Sequence, residues 1–132
     1  MTGHQRQDSS SAIRRWNRVF EVLAVDPRRQ LVDALMDVPD GGAVQLPDAA
    51  ANPDLERDPD RLRLELRHQH LPMLADADYV EWQHRPFSAS RGPQFAELEA
   101  VMCGLYATAD DLPDRLVRGC HPFEREFDGS EW

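Results

Sequence analysis

The stretch that most constrains this chain is Arg61-Leu62-Arg63-Leu64-Glu65-Leu66-Arg67, which alternates with a period of two, as strands do. Its surroundings select a helix instead. Asp58-Pro59 offers an N-cap followed by a proline at the first helical position. The residues are strong helix formers rather than β-branched ones, and about 14 of them pass before Ala75-Asp76-Ala77-Asp78. At roughly 100° per residue, Leu62, Leu66 and Met73 share one side and Leu64 and Leu71 another. The only arc without aliphatic residues carries Arg61, Glu65, His68 and Gln69. A helix buried on two sides and wet on one is packed deep in a small domain, and Pro72 should bend or end it.

The flanking sequence supplies the other elements. Met1 to Ser11 is polar with three consecutive serines and reads as a disordered arm. From Ser11, Ile13, Trp16, Val19, Phe20 and Leu23 recur at helical steps. Asp26-Pro27 ends that helix and starts a second, with Asp26 as N-cap and Leu31, Val32 and Leu35 buried, closed by Pro39-Asp40-Gly41-Gly42. Ala43 to Leu46 reads as a short strand and Pro47 to Ala51 as a short helix. Tyr79 to His84 alternates and is aromatic-rich, so it is a strand. Arg85-Pro86 makes a turn and Phe87 to Arg91 the return strand of a hairpin. A last long helix follows Gly92-Pro93, with an apolar face of Phe95, Leu98, Val101, Met102, Leu105 and Tyr106. A short helix from Asp111 to Arg118 and a polar tail with Phe123, Phe127 and Trp132 complete the chain.

Composition narrows the class. The 132 residues suit one domain. No window approaches the roughly 18 apolar residues of a membrane span, and no apolar signal core follows the N-terminus, so a cytoplasmic protein is expected. Cys103 and Cys120 are too few for a disulfide framework. The net charge is −9, every basic residue is Arg, Asp outnumbers Glu 15 to 9, and Ile13 is the sole isoleucine. Such a surface fits a salt-loaded cytoplasm, as in a haloarchaeon, where the Debye length falls to about 3 Å and acidity no longer forbids approach to DNA. An ordinary acidic protein from a GC-rich organism is the plainer alternative. The charge is uneven: residues 1–40 are neutral, 41–75 carry −2 and 76–132 carry −7. An anionic partner should therefore meet the first two thirds of the chain.

The order helix, helix, short strand, helix, helix, hairpin, helix predicts an α+β, mostly helical fold. It would be a winged helix-turn-helix with a two-stranded wing and an additional C-terminal helix. Residues 1–11 would form the arm, 12–108 the domain with its pairing helix, and 109–132 the short helix and acidic tail. The core would comprise Trp16, Phe20, Leu31, Leu35, Leu62, Leu66, Leu71, Leu74, Val80 and Trp82. Val19 to Val32, with Pro27-Arg28-Arg29 at its centre, resembles the opening of arsenic-repressor-like winged-helix domains. His70-Leu71-Pro72-Met73-Leu74 followed by Tyr79-Val80 is similar to a family of small haloarchaeal winged-helix domains. The likeness covers about residues 17 to 100 and implies a regulator-like fold more firmly than an activity. Asp78 stands where a Gly usually precedes the strand in that family, the wing is short and contains Pro86, and the connector from Asn52 to Asp58 exceeds a tight helix-turn-helix turn.

On this fold, duplex DNA is the expected partner. Arg57, Arg61, Arg63, Arg67, His68 and Gln69 lie on or beside the recognition helix, where Arg grips phosphate or guanine and Gln reads adenine. His84, Arg85 and Arg91 would lie over the minor groove or backbone. The plainer reading has Asp58, Asp60 and Glu65 neutralise those arginines. Phosphate affinity falls steeply with salt, so base contacts, shape and pairing of two copies must carry binding in molar salt. A homodimer is expected through Phe95, Leu98, Val101, Met102 and Leu105. The alternative function is a winged-helix protein-interaction module without DNA binding, to which the acidic C-terminal part would suit a basic partner. His68-x-His70, Cys103 and Cys120-His121 are sensor-type ligands but lack CxxC or HExxH spacing. His70 reads equally as a packed residue and Cys103 as apolar filler, so no metal and no cofactor is expected. Without GxSxG, P-loop or GxGxxG, the chain reads as no enzyme.

Overall fold

The computed structural model describes residues 2–118, with side chains from residue 10 onward. It is α+β and mostly helical, with one three-stranded antiparallel sheet. In chain order the elements are α1 (Thr2–Leu23), α2 (Asp26–Met36), β1 (Ala43–Gln45) and a 3-10 turn (Asp48–Ala50). There follow α3 (Pro59–Glu65), a π-helical turn (Leu66–His70), α4 (Leu71–Asp76), β2 (Val80–His84) and β3 (Phe87–Arg91). The last elements are α5 (Phe95–Ala107), a 3-10 turn (Ala109–Asp111) and α6 (Asp114–Val117). None of the described helices is long and apolar enough to cross a membrane.

Asp58 caps α3 as expected, accepting from the Asp60 amide at 3.0 Å. The helical path then runs to Asp76 and does not end at Pro72. The π turn explains why. The Leu71 amide donates to the Leu66 carbonyl, one residue further back than in an α-helix. This wider turn lies just ahead of Pro72, which has no N–H to give and whose ring would crowd the preceding turn of a regular helix. It also corrects the expected burial. Leu62, Leu66, Leu71 and Leu74 all face the core, whereas Leu64 is 58% exposed. The helix is thus buried on one side rather than two.

The hairpin is present, with Val80 opposite Arg91 and His84 opposite Phe87. It is not a separate two-stranded wing, since β1 adds to its other side in the order β1-β3-β2, with Ala43 opposite Ser90. The short helix expected over 47–51 is a single 3-10 turn. The first eleven residues, expected as a disordered arm, are drawn into α1 from Thr2, with no proline before Pro27 to interrupt propagation. Asp26 is no N-cap. It lies in the first turn of α2, where its carboxylate accepts from Asn52 Nδ2 at 3.0 Å and Gln30 Nε2 at 3.4 Å.

Leu31, Leu35, Leu62, Leu66, Leu71, Leu74 and Val80 form the core with Tyr79, Leu98 and Met102. Trp82 packs against it half-buried. Trp16 and Phe20, expected inside, are 53% and 63% exposed and stack on each other. Val19 and Val22 supply the inward stripe of α1 instead. Polar clamps join the layers. Tyr106 Oη donates to Asp33 at 2.8 Å, tying α5 to α2. Glu97 accepts from Tyr79 Oη at 3.1 Å and from Arg15 Nε at 3.0 Å, tying α5 to the start of β2 and to α1. Burial and this hydrogen bond push the Tyr79 hydroxyl up to about 12.

Candidate nucleic-acid interface

The outward side of α3 and the π turn carries Arg61, whose side chain is 80% exposed, with Leu64, His68 and Gln69. Arg61, His68 and Gln69 belong to the arc expected outside, and Leu64, expected on a second buried side, joins them because the core takes only the side of Leu62 and Leu66. Arg57, at the end of the connector, folds back so that its Nη1 donates to Glu65 Oε1 at 3.2 Å. The other Glu65 oxygen lies 3.6 Å from Arg61 Nε. Arg63 Nη1 donates to Asp60 at 2.9 Å. Expected neutralisation by Asp60 and Glu65 is therefore present, whereas Asp58 is spent on the cap. These pairs are solvent-exposed, so each is weak and easily exchanged for another anion.

Arg67 joins this helix to the hairpin. Its guanidinium sits over the Phe87 ring, 4.7 Å from the centroid, and its Nε is buried without an acceptor. On the hairpin, His84 packs edge-on against Trp82 at 4.5 Å, and both His84 and Arg85 are exposed around the turn. The structure thus brings Arg61, Arg63, Arg67, His68 and Gln69 onto one helical segment, sets Arg57 of the connector against it, and places His84 and Arg85 at the end of the ribbon.

Arg91 does not belong with them, which corrects the expected wing residue. Its Nε donates to the Leu35 carbonyl at 3.0 Å and its Nη2 to Met36 and Val38 at 3.3 and 3.0 Å. Its Nη1 donates to Asp40 at 2.9 Å, Glu99 is 3.4 Å away, and the Phe95 ring lies beneath. This arginine caps the last carbonyls of α2, which a helix C-terminus leaves without partners.

The expected pairing face is also split. Phe95, Leu98 and Met102 are buried in the chain's own core and are unavailable to a partner. Val101 and Leu105 remain accessible, and they border a groove of about 710 Å³ between α1 and α5 that the sequence does not reveal. Its signal lies in Trp16 and Phe20, whose helical spacing fits a core position equally well.

His70, the last residue of the π turn, is buried with Nδ1 unpartnered, and burial together with the charge of Arg28 holds its pKa below the ordinary value. Arg28, also buried, donates from Nη1 to the Met73 sulfur. Cys103 is exposed rather than core filler. Among the described residues no group of three His, Cys, Asp or Glu side chains is arranged to hold a metal ion. Cys120 and His121 lie outside the described residues. Compared with family models, curated proteins and solved structures, the chain finds no match.

Proposed function

We propose that this chain is a winged helix-turn-helix domain that binds duplex DNA, with α3 and the π turn entering the major groove and the β2–β3 turn lying over the adjacent backbone. The supporting observation is the exposed set Arg61, His68 and Gln69 on one outward helical side, with Arg67 bridging that helix to a ribbon tipped by His84 and Arg85. Such a side matches the donor and acceptor pattern of the major groove, with Arg61 for guanine and Gln69 for adenine. Leu64, exposed between them, suits a thymine methyl group. The third β-strand leaves this arrangement intact. The single 3-10 turn ahead of the long connector departs from a tight helix-turn-helix.

Selection of bound fragments from random duplex DNA in molar KCl tests the reading. An enriched sequence is expected, and Arg61→Ala with Gln69→Ala should weaken its gel shift by about tenfold or more for each base-reading side chain removed, with helical content unchanged. A double variant that shifts the enriched duplex like wild type removes the assigned side. Absence of any enrichment favours the second reading, a protein-interaction module. What favours that one is the pairing of Arg57, Arg61 and Arg63 with carboxylates of their own chain.

A further inference from the structure

A smaller cleft, of about 380 Å³, lies between α2 and α5. Half-buried Met36 and Tyr106 give it an apolar surface. Glu99 at its edge already faces Arg91 at 3.4 Å, so Asp33 and Asp37 set its charge. Both acids stand at the C-terminal end of α2, where the helix dipole is negative and the last turn holds no basic residue. Asp33 is only 6% exposed, and the Tyr106 hydroxyl that donates to it is a neutral group. A buried carboxylate beside a negative helix end favours a cation next to it. We infer that the cleft seats residues 119–125 of the same chain, which follow the described residues. Arg125 meets Asp33 and Asp37, and the Phe123 ring lies against Met36.

Charge and reach select this occupant. Beyond Arg118 the chain divides into two halves. Residues 119–125 hold His121 and Arg125 against one acid, Glu124, whereas residues 126–132 hold Glu126, Asp128 and Glu131 with no base. Only the first half suits an acidic cleft. It also carries an apolar ring, Phe123, close to its cation, as the cleft carries Met36 beside Asp37. The path is short. Ala107 at the end of α5 lines the cleft, and little more than a 3-10 turn and the single turn of α6 separates it from Arg118. Phe123 follows within a further reach of about 17 Å. Neither Asp33 nor Asp37 is without a partner, so an occupant must hold its place against competition. A segment on so short a tether does so at an effective concentration on the order of mM, an advantage that a free cationic solute lacks.

This inference is independent of DNA and its test needs none. In nuclear magnetic resonance spectra of the full chain with isotope-labelled methionine methyl groups, the Met36 methyl should show a nuclear Overhauser contact to the Phe123 ring, identified by its loss in Phe123→Leu. Arg125→Glu should also remove the contact, and adding Asp37→Arg to Arg125→Glu should restore it. The Met102 methyl, buried in the core, shows in the same spectra that each variant is folded. Absence of the contact from the wild-type chain overturns the inference. So does a contact that survives Arg125→Glu, or one that fails to return with Asp37→Arg. A contact seen only between labelled and unlabelled chains in a mixed sample overturns it in favour of the same segment from a second copy.

Discussion

Asp78 holds left-handed backbone at φ +63° immediately after α4. Its amide donates to the Ala75 carbonyl and the next amide, of Tyr79, to that of Leu74, the paired bonds that close a helix C-terminus. Glycine is the usual residue there because a Cβ costs about 1–2 kcal/mol in this conformation. Asp78→Gly should therefore stabilise the fold by about 0.5–1 kcal/mol after the added flexibility of the unfolded chain is subtracted, measured by urea unfolding. Gly92 is constrained the other way. A Cβ there would sit 2.6 Å from the Asp78 carbonyl oxygen and 2.9 Å from the Tyr79 and Val80 backbone, so Gly92→Ala should cost about 1–3 kcal/mol. Arg91→Met should lose about 2 kcal/mol or more, because carbonyls at the end of α2 would be stripped of a charged donor. Residue type alone could not separate this arginine from Arg61, since both are arginines beside turns or helix ends. Only the surroundings distinguish them: three backbone carbonyls around Arg91, and for Arg61 solvent with one carboxylate 3.6 Å away.

At the scale of elements, much is legible in the sequence. Caps, prolines and apolar period place α2, α3, the hairpin and α5, because those signals are local. The π turn escapes these signals, although its mark is visible. Leu62 to Leu66 is a four-residue step, Leu66 to Leu71 is five, and Leu71 to Leu74 is three. A constant roughly 100° per residue sends Leu71 to a second side, and only one extra residue in the turn returns it to the first. Burial of α1 escapes for a related reason. A helix with apolar residues on more than one face does not say which face a small domain has material to cover. The π turn also carries His70, whose depressed pKa gives a pH dependence of definite sign. As pH falls through about 6.5, the unfolded chain takes up the proton first. Stability then declines until the lower native value is passed. Unfolding in urea at about pH 7.5 and about pH 5.5 should show this decline, and His70→Gln should remove His70's share of it.

The molecule as a whole is governed by where its charge lies. Residues 76–132 carry −7 of the total −9. Their mutual repulsion opposes compaction when the Debye length is about 10 Å and largely vanishes at about 3 Å. Thermal unfolding in molar KCl should accordingly occur several degrees above that in dilute buffer; an unchanged midpoint would remove repulsion as a significant term. The groove lies beyond sequence reasoning for a simple cause: it is formed by helices some 80 residues apart, and only their packing shows that neither fully covers the other. The helix before the hairpin is different, because a segment that has absorbed a surplus residue can surrender it. Excising Gln69 would set the four inward leucines at steps of four, four and three, a regular seam, yet leave the proline ring pressed on the turn above. Excision combined with Pro72→Ala should then fold better than excision alone, a rescue that no ordinary helix would display.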